Sequence, residues 1–156
     1  MGEASARLLR PGEGRSFGTA GTSVVLKAGV DDTNGGWTLF EYVAPPNFPG
    51  PPPHWHKTYD EGFYVLEGTI RFELNGEEQD VGAGSFAHVP PGVVHRFSNP
   101  TDEPARMLGL TVPGGFENYL ARVAEMTAGA TTWPPEDMRP LMELMAEYDT
   151  FPPPSP

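Results

Sequence analysis

About nine short runs of alternating or β-branched residues follow one another at near-regular spacing through the first three quarters of the chain. Glycine, proline, asparagine or aspartate separates each from the next. This rhythm constrains the fold more than any other feature. A run of five or six residues is too short for a stable helix but long enough for a strand. Thr69–Leu74 is the clearest example. Ile70, Phe72 and Leu74 share one face, and Thr69, Arg71 and Glu73 share the other. Asn75-Gly76 follows, the dipeptide that best suits a two-residue hairpin turn, and Glu77–Val81 returns.

The remaining runs are an edge strand before residue 20 within an otherwise loose start, then Ser23–Lys27, Trp37–Val43, Gly62–Glu67, Ser85–Val89, Val93–Ser98 and Arg106–Val112. Trp37–Val43 reads as a strand buried on both faces. Pro90-Pro91-Gly92 suits a type II turn, with Pro91 at its second position and Gly92 at its third. Many short strands so spaced predict a sandwich or barrel. After Pro113-Gly114-Gly115 the period changes. Phe116, Tyr119, Leu120, Val123 and Met126 recur at helical spacing, and a second helix is predicted over 136–148, with a proline-rich tail from 151.

A length of 156 residues suits one domain, divided into an N-terminal segment (1–36), a barrel core (37–113) and a helical extension with its tail (114–156). The 19 glycines and 19 prolines act as turn punctuation, and 3 Trp, 5 Tyr and 9 Phe supply core bulk. A net charge of −11 without basic clusters opposes binding to nucleic acid or anionic membrane. The absence of cysteine removes disulfide and thiolate chemistry. No signal-like or membrane-spanning run is visible, so a soluble cytoplasmic protein is the default expectation.

Three of the four histidines and one glutamate fall into a two-part pattern. His54-Trp55-His56 is followed after four residues by Glu61 and after six more by Gly68. Gly84 is followed after five residues by Pro90-Pro91-Gly92, then by His95 and Asn99. Imidazoles and a carboxylate are ligands for a divalent transition metal. Residues two apart on a strand face the same way, so His54 and His56 can point inward while Trp55 points out. Glu61 has the wrong parity for a straight strand, so a turn or bulge over 57–60 must restore it. Such a set leaves two positions of an octahedral ion open.

This pattern resembles the cupin family, whose motifs run G-x5-H-x-H-x(3,4)-E-x6-G and G-x5-P-x-G-x2-H-x3-N. The second matches at every fixed position from Gly84 to Asn99. The first matches from His54 to Gly68, but Gly50 stands three residues before His54 in place of five. The resemblance covers about residues 37–113. It implies an all-β, double-stranded β-helix (jelly-roll) barrel with C-terminal α-helices, and His54, His56, Glu61 and His95 as ligands to one metal ion per chain. The ion could be iron, nickel, manganese, cobalt, copper or zinc. A homodimer is also implied. The single barrel with a helical tail looks like the quercetin-dioxygenase-like bacterial monocupins.

The reading that follows is a metal-dependent dioxygenase acting with dioxygen on an aromatic enol or phenol, with Glu61 as ligand and base. Alternatives are a non-oxidative cyclase, isomerase or lyase on the same site, or a small-molecule-binding cupin without catalysis. Phe63, Val65, Phe72, Phe86 and Phe97 could line an aromatic pocket or simply fill the core. His88 could face the substrate or the surface. Asn99 is expected to organise a turn.

Overall fold

The computed structural model describes residues 5–19 and 22–155. The loose start expected before residue 20 falls partly on residues 1–4, which lie outside that set, as do residues 20–21 and 156. The strands are β1 (Arg15–Thr19), β2 (Thr22–Ala28), β3 (Thr38–Ala44), β4 (Trp55–His56), β5 (Asp60–Glu67), β6 (Thr69–Leu74), β7 (Glu77–Gly82), β8 (Phe86–Val89), β9 (His95–Ser98) and β10 (Ala105–Val112). Helices α1 (Phe116–Met126) and α2 (Arg139–Glu147) follow, and β11 (Thr150–Phe151) closes the chain.

The pairings are antiparallel. One sheet has the order β1-β2-β3-β10-β5-β8, a second β7-β6-β9, and a third β11-β4. The inner faces of the first two meet in a jelly-roll core. Phe63 of β5 lies 5.7 Å from Phe72 of β6 and 6.1 Å from Phe97 of β9, and Tyr42 of β3 lies 5.1 Å from Phe97, centroid to centroid. Each such ring, once buried, contributes about 1.5–3 kcal/mol.

Alternation sets what faces inward. On β5, Glu61, Phe63 and Val65 are buried while Asp60, Tyr64 and Glu67 are exposed. The expectation that the run from Trp37 is buried on both faces is corrected. Thr38, Phe40, Tyr42 and Ala44 are buried, whereas Leu39, Glu41 and Val43 are only half-covered, and Trp37 precedes the strand and is exposed. The outer face carries charge, with Glu41 pairing to Lys27 at 3.6 Å and to Arg106 at 2.9 Å.

The β6–β7 hairpin turns at Asn75-Gly76 with φ of 51° and 85°, the left-handed geometry that such a turn requires. Helix α2 begins at Arg139, later than predicted, with Pro140 in its first turn. Among the described residues no helix is long and apolar enough to cross a membrane.

Candidate metal centre

Each candidate ligand is delivered by a different local device. His54 and His56 flank Trp55 and are both buried, while Trp55 turns outward against Phe151 at 5.1 Å. The chain then leaves β4, bends through 57–59 and enters β5 at Asp60, which places Glu61 in the inward row with Phe63 and Val65. His95 opens β9. It is set by the turn before it, where Gly92 has φ 87°, Val93 N–H donates to Pro90 O and Gly92 N–H donates to His56 O at 2.8 Å. His54 and His95 are also backbone partners. His54 N–H donates to His95 O at 3.0 Å, and His95 N–H donates to His54 O at 2.8 Å.

The side chains converge. Ligand atoms of His54, His56 and His95 all lie within 4.8 Å of one another. Oε2 of Glu61 stands 2.8 Å from Nε2 of His95 and 3.2 Å from Nε2 of His56. The opposite ring nitrogens are already committed. Nδ1 of His54, His56 and His95 lies 2.9 Å from the carbonyl oxygens of Pro52, Asp149 and Val93 respectively. A carbonyl only accepts, so each Nδ1 carries a proton, and in the neutral ring each Nε2 turns its lone pair inward.

Three lone pairs and a carboxylate therefore face one another. Nε2 of His56 and Oε2 of Glu61 are buried and have no hydrogen-bond partner. The buried Thr111 Oγ1 is likewise unpaired, and Thr111 stands directly across the β10–β5 ladder from Glu61. Acceptors this close repel unless a proton or a cation sits among them. Burial and the neighbouring imidazoles of His95 and His56 push His54 down to about 3, so it stays neutral. Burial works against charge on both His56 and Glu61, but their mutual attraction outweighs it. His56 is raised above its ordinary 6.5, and Glu61, which also faces His95, is held down to about 2. The donor set suits a divalent transition ion, and the second ring nitrogens are fixed as such a site requires.

The centre opens on an apolar cavity of about 90 Å³. Its walls include Phe17, Phe40 and Tyr42 from the large sheet, and Phe63 and Phe97 beside the histidines. Glu61 is the one carboxylate in the lining among the described residues. Its roof is helical. Phe116, Tyr119 and Val123 come from α1, Met145 from α2 and Trp133 from the link between them. Trp133 Nε1–H donates to Gly50 O at 2.9 Å, which ties the roof to the loop before His54. Gly50 has φ 77°, and a Cβ there would meet Phe97 O at 1.7 Å. Although this glycine departs from the motif spacing, its place in the loop excludes a side chain.

Four of the six candidate pocket residues lie elsewhere. Val65 is fully buried in the core, and Phe72 packs behind Phe63; neither lines this cavity. Phe86 and His88 point outward from β8, because Ala87 and Val89 occupy its inner face. His88 Nε2 sits 2.7 Å from Asp60 Oδ1 at the surface. Asn99 is buried. Its amide donates to the carbonyls of Ala44, Pro45 and Glu103, and its carbonyl accepts from Thr101, so it organises a turn.

A Cupin domain model matches residues 40–112. Residues 54–95, which hold the centre, fall inside that match. The chain belongs to the cupin superfamily. Among curated proteins, this cupin is 33% identical over 76 residues to a quercetin 2,3-dioxygenase of Bacillus subtilis, a stretch covering 49% of this chain and 22% of that protein. It is 38% identical over 55 residues to the polyketide synthase CurC of Streptomyces cyaneus, covering 35% and 36% of the two chains. The matched stretches thus span well under half of either relative. Among solved structures, it resembles the polyketide cyclase RemF from Streptomyces resistomycificus with a TM-score of 0.61, 23% identity and coverage of 69% and 80%.

The roof, the outer walls and the carbonyl of Asp149 are functional surroundings that sequence reading missed. The apolar stripe of α1 was the one available signal, and it gives a buried face without saying against what.

Proposed function

We propose that this cupin is a metal-dependent dioxygenase acting on a compact, largely apolar enol or phenol. One observation carries the reading: three inward imidazole lone pairs and one ionised carboxylate meet at the end of an aromatic-walled cavity. His54, His56, Glu61 and His95 would hold the ion. When bound, it would supply Lewis acidity and open positions at which an oxyanion and dioxygen can meet. Phe63, Phe97 and Phe116 offer faces against which a flat ligand can lie. Glu61 is assigned the enol proton because it is the acid in the cavity wall. A carboxylate held near 2 is a ligand first and only a weak base.

Cavity size narrows the substrate. An apolar cavity of about 150 Å³ is what takes one benzene ring. At about 90 Å³ this cavity is smaller than that. By that measure small enols or diketones suit the site better than a flavonol. The test is oxygen uptake by metal-loaded protein over a panel of compact diketones, enols and phenols, with His95→Ala as control. Oxygen consumed in step with substrate supports the reading. Equal turnover without oxygen overturns it and favours a second one, non-oxidative cyclisation or isomerisation, for which the similarity to a polyketide synthase speaks.

A further inference from the structure

The three histidines do not anchor their second nitrogens alike. His54 and His95 use carbonyls two residues earlier in their own segments, those of Pro52 and Val93. His56 uses the carbonyl of Asp149, 93 residues away in sequence. Thr150 Oγ1 adds a second contact to the same nitrogen at 3.3 Å.

The segment that supplies this carbonyl is firmly docked. The Asp149 carboxylate accepts from Lys57 N–H at 3.1 Å, Thr58 N–H at 2.8 Å and Thr58 Oγ1–H at 2.5 Å, so it caps the bend just after His56. Thr150 and Phe151 pair with His56 and Trp55 across the β11–β4 ladder. Trp55 Nε1–H donates to Pro152 O at 3.0 Å. Asp149 itself holds φ at 54°, a left-handed conformation uncommon for a residue with a side chain.

The same segment continues directly from the roof. Helix α2 ends at Glu147, and only Tyr148, in ring contact with Tyr119 of α1 at 5.9 Å, separates it from Asp149. Met145 of α2 lines the cavity. Any shift of these helices would therefore be felt at the carbonyl that orients His56.

We propose that Asp149–Phe151 is a strap that positions His56 toward the metal, so that ion binding and roof docking stabilise each other. Asp149 is a positioning residue, acting through His56. The inference rests on the metal-binding reading above, and coupling of this kind is reciprocal. Partners that orient a ligating histidine contribute roughly 10–100-fold to metal affinity.

Two measurements test it. The first is zinc affinity by chelator competition in the parent protein, in Asp149→Ala and in a chain ending at Tyr148. A loss of about 10-fold or more in both variants, with the far-ultraviolet circular dichroism of the barrel unchanged, is expected. Parent and variants binding alike overturns the strap while leaving the metal reading intact. No zinc uptake by the parent overturns both. The second needs no variant. Hydrogen exchange at Thr150, Phe151 and the last turn of α2 is compared with and without zinc in the parent protein. Slower exchange on zinc addition supports the coupling, and unchanged exchange there, with zinc bound, overturns it.

Discussion

Nε2 of His95 and Oε2 of Glu61 stand 2.8 Å apart, and the ring proton of His95 is committed on the far side to Val93. Two acceptors in that relation suit a cation shared between them. The parent protein is therefore expected to take up about one equivalent of a divalent transition ion. His95→Ala should weaken uptake by at least about 100-fold, beyond the roughly 10–100-fold that outer partners contribute. Elemental analysis and chelator competition check this; full uptake by His95→Ala would refute the centre as drawn.

Metal affinity should rise with pH. The raised pKa of His56 means that a proton competes with the ion below a value lying above 6.5. His54, held near 3, and Glu61, held near 2, release no proton in that range. The sign is a gain in affinity from pH 6 to pH 8, with up to one proton released by His56. Calorimetry in buffers of different ionisation enthalpy measures that number. No pH dependence in this range contradicts the arrangement.

Trp133→Ala should widen ligand choice. The indole forms part of the roof and latches to Gly50. Its removal is expected to enlarge the cavity and tighten binding of a naphthalene-sized apolar probe by about 10-fold, about 1.4 kcal/mol. Metal stoichiometry should not change, because the indole N–H is committed to Gly50 O and not to a ligand. Probe fluorescence titration decides the matter.

Glu117→Ala should destabilise without disarming the centre. The buried carboxylate accepts from Val30 N–H, Thr38 Oγ1–H and Gly115 N–H, pinning the start of α1 to the barrel. Leaving such donors unpaired costs about 1–3 kcal/mol each, so a total of about 3 kcal/mol is expected. For a chain of this size that lowers Tm by about 6–12 °C. Calorimetric unfolding measures the loss, and one equivalent of metal should still bind below the transition.

Legibility in the sequence followed the range of the interactions. The β6–β7 hairpin is written in one dipeptide and a period of two, and both are local. The ligand pattern is local within two segments, so its four residues could be listed, and the parity argument required the bend that the chain makes at 57–59. Val65, Phe86 and His88 show where this ends. On β8 Phe86, Ala87 and Val89 are all apolar, so alternation fixes which residues share a face but not which face is inside. The roof and the strap depend on how the last forty residues fold back over the barrel. Nothing near His56 in the chain announces a partner at Asp149, whose carbonyl meets the ring while its carboxylate caps the bend at 57–58, both across more than ninety residues.

The backbone bridge between His54 and His95 has a further consequence. Because these two residues hold each other through paired backbone hydrogen bonds across the seam of the barrel, the spacing of the two backbones from which their rings project is set by the fold itself. Little ordering remains to be done on binding, and little adjustment is open to it. A centre so held would sort candidate ions by radius and preferred geometry as much as by donor type.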